Sequence, residues 1–328
     1  MYKDRIVLYE RIEKLFDTKL LVYVTSDRRG MEAQIAQDVI DFFIDHLDAI
    51  GPVPKISLYL YTRGGDTAAA WNIVNLIKMF GDNFEVIIPH KAHSAGTLIS
   101  IGANSIIMTK QATLGPIDPS LNTQLNPILP NSNLTYPVSV EAVKGYFSLI
   151  KDELKIQNDV ALANIFMQLS EKVHPLVLGQ VHRTRAQIKM LAQKLLSSHI
   201  NKSVNVNSII KFLCSDSGSH DYTINRREAV NSLGLHVINP DDNQYKLIRD
   251  IYNDINAEMK FNDAYDPRLL NNKFTIERCL LESINGGSDS YITKGNIIKI
   301  PQANGQLIIQ DTREYEGWRH NYDGNEYI

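Results

Sequence analysis

Cysteine is scarce in this sequence: Cys214 and Cys279 are the only two among 328 residues. Two thiols exclude a disulfide framework and a zinc centre of the usual kind, and read most simply as free thiols in a reducing compartment. Long hydrophobic runs are missing too. No stretch approaches the roughly 18 apolar residues of a membrane-spanning helix. The chain opens Met1-Tyr2-Lys3-Asp4-Arg5 into a helical pattern broken by Glu10, Arg11, Glu13 and Lys14, where a signal peptide needs an unbroken apolar core. The expectation is a cytoplasmic protein without a membrane span. Neither sign of charge dominates. With a net charge of −3 and a pI near 6.3, nothing argues for a nucleic-acid partner. The GxGxxG and GKS/T phosphate-binding patterns are absent, so no dinucleotide cofactor is expected, and the expectation is no cofactor and no metal. There is no internal repeat and no low-complexity tract.

What is present is an ordinary globular composition, 44% apolar and 22% charged. The length suits two domains, or one large domain with an elaboration. Ile6, Leu8, Ile12, Leu15 and Phe16 recur at helical spacing. Leu20 to Thr25 reads as a strand, and Met31, Ile35, Val39, Ile40, Phe43, Ile44 and Leu47 as an amphipathic helix that Gly51-Pro52 ends. Strands follow at 56–61, 84–88 and 105–109, separated by a helix capped by Asp66 and a small-residue helix over 94–102. This β-α-β-α-β-α-β order predicts a mostly parallel sheet with crossover helices. Sites in such sheets lie at the C-terminal strand ends. Two loops fit that place, Thr62-Arg63-Gly64-Gly65-Asp66 and Pro89-His90-Lys91-Ala92-His93-Ser94-Ala95-Gly96. Residues 139–214 read as helical, with a basic run at His182-Arg183-Thr184-Arg185. Asn225 and Glu228 form a capping-box pattern before a short helix that Gly234 stops. A helix over about 241–260 and strand-like runs at 274–281, 296–300 and 306–310 complete the chain.

Ser94 starts a helix, where its hydroxyl meets free backbone N–H groups and the helix dipole. A nucleophile is useful there and an oxyanion can be held, although the commoner role of such a serine is a helix cap. Gly64-Gly65 lets the backbone approach a ligand and turns N–H groups outward. A base must come from elsewhere. His93 adjoins Ser94, and neighbouring side chains at such an elbow usually diverge, so it reads as packing or as a support behind the site. His46 reads as solvated on its helix. His174, His182 and His199 fall in the helical stretch, and His220 in a polar loop. Asp118, flanked by Pro116 and Pro119, suits orienting a histidine.

Together these segments resemble the Clp/crotonase superfamily, and more closely the SDH family of Clp-fold serine proteinases. The resemblance is carried by Ile56-Ser57-Leu58-Tyr59-Leu60-Tyr61-Thr62-Arg63-Gly64-Gly65, His93-Ser94-Ala95-Gly96, Ala112-Thr113-Leu114-Gly115-Pro116-Ile117-Asp118-Pro119 and His220-Asp221-Tyr222, which leads into Arg227-Glu228-Ala229. It implies an α/β Clp/crotonase-like spiral of repeated ββα/βαβ units with a mostly parallel sheet, a helical insert and a small C-terminal extension. The implied parts are a core over 1–137, an insert over 138–215 placed like an oligomerisation handle, a return to the core over 216–240, and a helix-and-strand extension over 241–328.

The resemblance further implies a serine peptidase acting on peptide or protein substrates as a homo-oligomer, with any ATPase a separate protein. Ser94 carries over as nucleophile, and Ala95 with Gly64 or Gly65 as the oxyanion-hole donors. Where Clp-type peptidases place the base histidine this sequence has Asp118, and a histidine, His220, stands beside Asp221 near their acid position. The exchange matches the Ser, Asp, His order described for the SDH family, giving His220 as base and Asp118 as orienting acid. Asp221 is the rival acid and His174 the rival base. A lysine base, as in related signal-peptide peptidases, falls to Lys110 or Lys144, neither with a supporting motif. The competing functions are a crotonase-type acyl-CoA enzyme and a non-catalytic Clp-fold scaffold.

Overall fold

A computed structural model describes residues 1–118, 120–129, 132–197, 205–216, 221–270, 272–301 and 307–321. The strands are β1 (Lys19–Thr25), β2 (Val53–Tyr61), β3 (Gly81–Ile88), β4 (Lys91–Ala92), β5 (Ser105–Met108), β6 (Thr113–Leu114), β7 (Ser120–Leu121), β8 (Val138–Ser139), β9 (Ile224–Asn225), β10 (Val237–Ile238), β11 (Lys273–Ser283), β12 (Gly287–Pro301) and β13 (Leu307–His320). The α-helices are α1 (Tyr2–Phe16), α2 (Ile40–Ile50), α3 (Thr67–Phe80), α4 (Ala95–Ile101), α5 (Val140–Ser148), α6 (Asp159–Lys172), α7 (Pro175–Ser197), α8 (Val206–Lys211), α9 (Arg226–Asn231) and α10 (Asp242–Met259). The chain divides into one unit of residues 1–114 and 224–328 and a second of 115–223.

The first unit is built on an eight-stranded sheet in the order β10-β5-β3-β2-β1-β11-β12-β13. The strands from β10 to β1 run parallel, and the last three are antiparallel. The fold is thus α/β with a mostly parallel sheet. Strand side chains alternate faces. Leu20, Val22 and Val24 of β1 join Tyr59, Ile87 and Ile107 in a core with Tyr9 and Ile12 of α1 and Leu247, Ile251 and Ile255 of α10. Tyr23 faces the other way and meets Phe43 of α2 edge-on, ring centres 5.3 Å apart. Helices on both faces explain why the parallel strands are continuous apolar runs rather than alternating ones. The C-terminal runs form longer strands than the pattern suggested, and they extend this same sheet.

One predicted element is different. The helical spacing from Met31 begins to form helix only at a 3-10 turn over Gln37–Val39 and then α2. Residues 32–36 are not helical, and Ile35 pairs with the glycine loop: its N–H donates to the Gly64 carbonyl at 2.9 Å, and its carbonyl accepts from Asp66 N–H at 2.8 Å. Met31 packs among Phe274, Ile276 and Ile297. Both apolar residues are buried, as predicted, by tertiary contacts that a helical reading does not include.

The second unit holds α5 to α8 and the short β7–β8 pair. Its core includes Leu121, Val138, Val140, Val177 and Val181. Among the described residues no helix is long and apolar enough to cross a membrane.

Candidate active site

The parallel strands β2 and β3 both end in loops at their C-terminal edge, and the two loops meet. Thr62 N–H donates to the Lys91 carbonyl, and His93 N–H to the Thr62 carbonyl, each at 3.1 Å. This bridge holds the Gly64-Gly65 turn against the approach to Ser94. Asp66 then starts α3, its carboxylate accepting from Ala68 N–H at 2.7 Å, as the sequence predicted.

Ser94 precedes α4 with φ +50° and ψ −111°. A non-glycine residue at positive φ costs on the order of 1–3 kcal/mol and persists only where the surroundings enforce it. Strained strand-to-helix elbows of this type display nucleophiles. Ser94 is 9% exposed and makes no side-chain cap hydrogen bond to its helix, so it does not fill the common capping role. Among the described residues nothing is hydrogen-bonded to its Oγ.

Both flanking turns depend on missing side chains. A Cβ on Gly64 (φ +118°) would lie 2.7 Å from Ser94 Cβ and 2.9 Å from the His93 carbonyl oxygen. A Cβ on Gly96 would lie 2.5 Å from Thr62 Cγ2. Glycine at 64 therefore admits Ser94 to the loop, and glycine at 96 seats α4 on Thr62.

The backbone donors are not equivalent. Gly64 N–H is engaged by Thr62 Oγ1 at 3.0 Å, and Thr62 Oγ1 itself accepts from Thr25 Oγ1 at 2.8 Å. Among the described residues, the N–H groups of Gly65 and Ala95 have no acceptor. This Thr25–Thr62–Gly64 chain escaped the sequence reading; the only local signal was Thr62's place at the end of a strand.

The remaining candidates have other surroundings. His93 has its Nε2 2.9 Å from Thr113 Oγ1. Asp118 belongs to the second unit, where it faces the start of α5: Ser139 Oγ donates to it at 3.3 Å and Glu141 N–H at 3.4 Å. His174 is exposed, and its Nδ1 accepts from Leu176 N–H at 3.2 Å. Asp221 is exposed in a turn. His220 and His199 lie outside the described residues. Neither thiol is poised as a nucleophile. Both are free and buried, and burial pushes Cys214 up to about 12 and Cys279 well up.

His46 is not solvated. It is fully buried, with Nδ1 2.7 Å from Ser283 Oγ and Nε2 2.9 Å from Asp289. His320 Nδ1 lies 3.0 Å from the same carboxylate. The sequence places His46 on a helix, but the β11–β12 hairpin that covers it comes from more than 230 positions away. This Ser–His–Asp chain has the connectivity of a catalytic triad without its access. Ser283 is 1% exposed, its Oγ accepts from Gly286 N–H at 2.8 Å, and Gly286 is packed on the imidazole. Glu282 pairs with Val22 and Cys279 with Thr25, so Ser283 lies toward the opposite end of β1 from the glycine loop. Among the described residues, no group of three or more His, Cys, Asp or Glu side chains is placed to hold a metal ion.

Residues 45–262 match the family model of the ClpP-like SDH-type serine proteinases. The chain belongs to that family. The expected fold and the expected class, a serine-type peptidase, are those of this SDH-type family, which lends no support to the acyl-CoA alternative. Two uncharacterized proteins of Methanocaldococcus jannaschii are similar in sequence. One is 45% identical over 78 residues, 23% of this chain and 27% of the relative. The other is 33% identical over 144 residues, 43% of this chain and 44% of the relative. The SDH-type chain thus spans less than half the length of these curated relatives. Among solved structures, a variant of the 1510-N membrane-bound stomatin-specific protease in complex with a substrate peptide is 21% identical, covering 69% of this chain and 78% of its own, with a TM-score of 0.36. ClpP1 from Listeria monocytogenes is 14% identical, covering 71% and 99%, also with a TM-score of 0.36.

Proposed function

We propose that the protein is a serine peptidase in which Ser94 is the nucleophile. The observation that carries this reading is the Ser94 elbow: a non-glycine residue at φ +50°, uncapped, with Gly64 packed against its side chain. In this reading Ser94 Oγ attacks the peptide carbonyl carbon while its proton passes to a histidine. The carbonyl oxygen becomes the oxyanion and is met by the N–H groups of Ala95 and Gly65. Collapse returns the proton to the leaving amine and leaves an acyl-enzyme, which water hydrolyses by the same route in reverse. We assign the base to His220 and the orienting carboxylate to Asp118, with Asp221 and His174 as the competing pair. His174 is the weaker base candidate, because its Nδ1 already serves as a helix-start acceptor.

The substrate class is a peptide or protein segment. Ile35 already fills one side of the glycine turn, so an added peptide strand pairs with the opposite side. Within the helical segment 138–215, α6 supports a role as an oligomerisation handle. It buries none of its residues, and Val160 and Met167 are 69% and 63% exposed. The two free, buried thiols support a reducing compartment, hence the cytoplasm.

The test is labelling by a fluorophosphonate probe together with casein hydrolysis. Wild type is expected to be labelled at Ser94, and Ser94→Ala to lose both labelling and hydrolysis. Hydrolysis retained in full by Ser94→Ala would remove the assignment.

A further inference from the structure

The glycine loop and the nucleophile loop are joined by one carboxylate that lies outside both. Asp27 follows β1, and its backbone surroundings are held firmly: Ser26 N–H donates to the Arg278 carbonyl at 2.7 Å, and the Ser26 carbonyl accepts from Ala33 N–H at 3.0 Å. The Asp27 side chain is only 14% exposed. One oxygen accepts from Lys91 Nζ at 2.5 Å and from Tyr61 Oη at 3.0 Å. The other lies 3.3 Å from Arg63 Nε. Arg63 immediately precedes Gly64, and Lys91 stands three residues before Ser94. Tyr61, the third partner, is fixed by stacking on Phe261 with ring centres 4.9 Å apart and planes 7° apart.

Two glycines at positive φ carry a large conformational freedom, while an oxyanion hole needs its donors within a few tenths of an ångström of their working position. The main-chain bridge at Thr62 and Ala92 fixes the two loops at one point. The carboxylate adds a second, side-chain link between them, at Arg63 and Lys91, the residues next to that bridge. Burial alone would raise the Asp27 pKa, but Lys91, Tyr61 and Arg63 outweigh it and hold the group below its ordinary value, so the clamp stays ionised through the neutral range.

We infer that Asp27 is a positioning residue for the reaction: through Arg63 and Lys91 it sets the Gly64-Gly65 turn against Ser94 and Ala95, so that the two backbone donors converge on one oxygen. This rests on Ser94 being the nucleophile. The role is specific to rate rather than to substrate affinity, because Asp27 touches the loops and not the reacting groups.

The experiment measures inactivation by a fluorophosphonate probe, separating the maximal rate from the half-saturating concentration, alongside the thermal midpoint. Asp27→Asn keeps the shape and removes the charge. Its maximal rate is expected to fall about 10- to 100-fold, the scale of a displacement on the order of 1 Å, with half-saturation within about threefold of wild type. Asp27→Glu should recover part of the rate. Adding Lys91→Met to Asp27→Asn should lower the rate little further, since the two act through one contact. Should Asp27→Asn fail to fold, Arg63→Met and Lys91→Met alone carry the same expectation at smaller size. An unchanged rate in Asp27→Asn, whatever its midpoint, overturns the role of Asp27 while Ser94→Ala still abolishes labelling. Labelling that survives Ser94→Ala overturns both this inference and the nucleophile assignment.

Discussion

At Ser94 the chain accepts an unfavourable backbone conformation, and its neighbours show what enforces it. Gly64 leaves room for the side chain, Gly96 lets α4 close up, and Thr97 Oγ1 donates to the Ala92 carbonyl at 2.9 Å across the turn. The serine–glycine spacing was visible in the sequence, but the strain was not, because φ at an L-residue is decided by what surrounds it. His90, in the same loop, has a different kind of tension. Its ring stacks on Tyr252 with centres 5.9 Å apart, and its buried Nδ1 has no hydrogen-bond partner among the described residues. Burial, and then the charges of Lys91 and Arg249, push its pKa below the ordinary 6.5. A histidine depressed in the folded state binds its proton first when unfolded. Its contribution to stability is complete above about pH 6.5 and is lost as pH falls toward the folded value. Urea unfolding from pH 8 to 5 should show stability declining below about pH 6.5, and His90→Phe should reduce that decline.

Among elements, α1 is tied to the sheet and to α10 by one buried cation. Arg5 is fully buried. It donates to Glu282 of β11 at 2.7 Å and to Asp254 of α10 at 2.5 Å, and also pairs with Glu258. Tyr9 shares Glu282. The amphipathic pattern of α1 predicted a helix, but gave no indication that carboxylates 249 and 277 positions away would close around Arg5. Breaking one side of a buried pair leaves the other charge uncompensated, at a cost of about 3–5 kcal/mol. Arg5→Met should lower unfolding stability by that amount in chemical denaturation, well beyond the loss of an exposed ion pair such as Lys246–Asp250. The non-helical stretch at 32–36 belongs to the same scale. Periodicity identified Ile35 as buried, and pairing with a side-chain-free Gly65 determined how.

For the whole molecule, the proposed assembly follows from where apolar surface is left uncovered. An amphipathic helix is stabilised chiefly by burying its apolar face, yet α6 has Val160, Phe166 and Met167 exposed. A second copy that covers this face would account for it. Sedimentation should show a species larger than one chain, and Met167→Asp should shift it toward the monomer. A wild-type chain that sediments as a monomer at all concentrations would end this reading.

The sequence by itself determined the order of the main strands and helices, the parallel core of the sheet, the two glycine-bearing loops at its C-terminal edge and the serine in the second of them. These follow from local patterns, since apolar periodicity, capping residues and chain-breaking glycines act over a few residues. Only the tertiary structure decided which backbone donors are left unengaged, that His46 is sealed beneath a distant hairpin, and that Asp27 joins the two loops. His46 and Asp27 meet partners tens to hundreds of positions away, the Thr62 hydroxyl that engages Gly64 N–H is itself held by Thr25 from 37 positions away, and no local pattern specifies a partner at that distance.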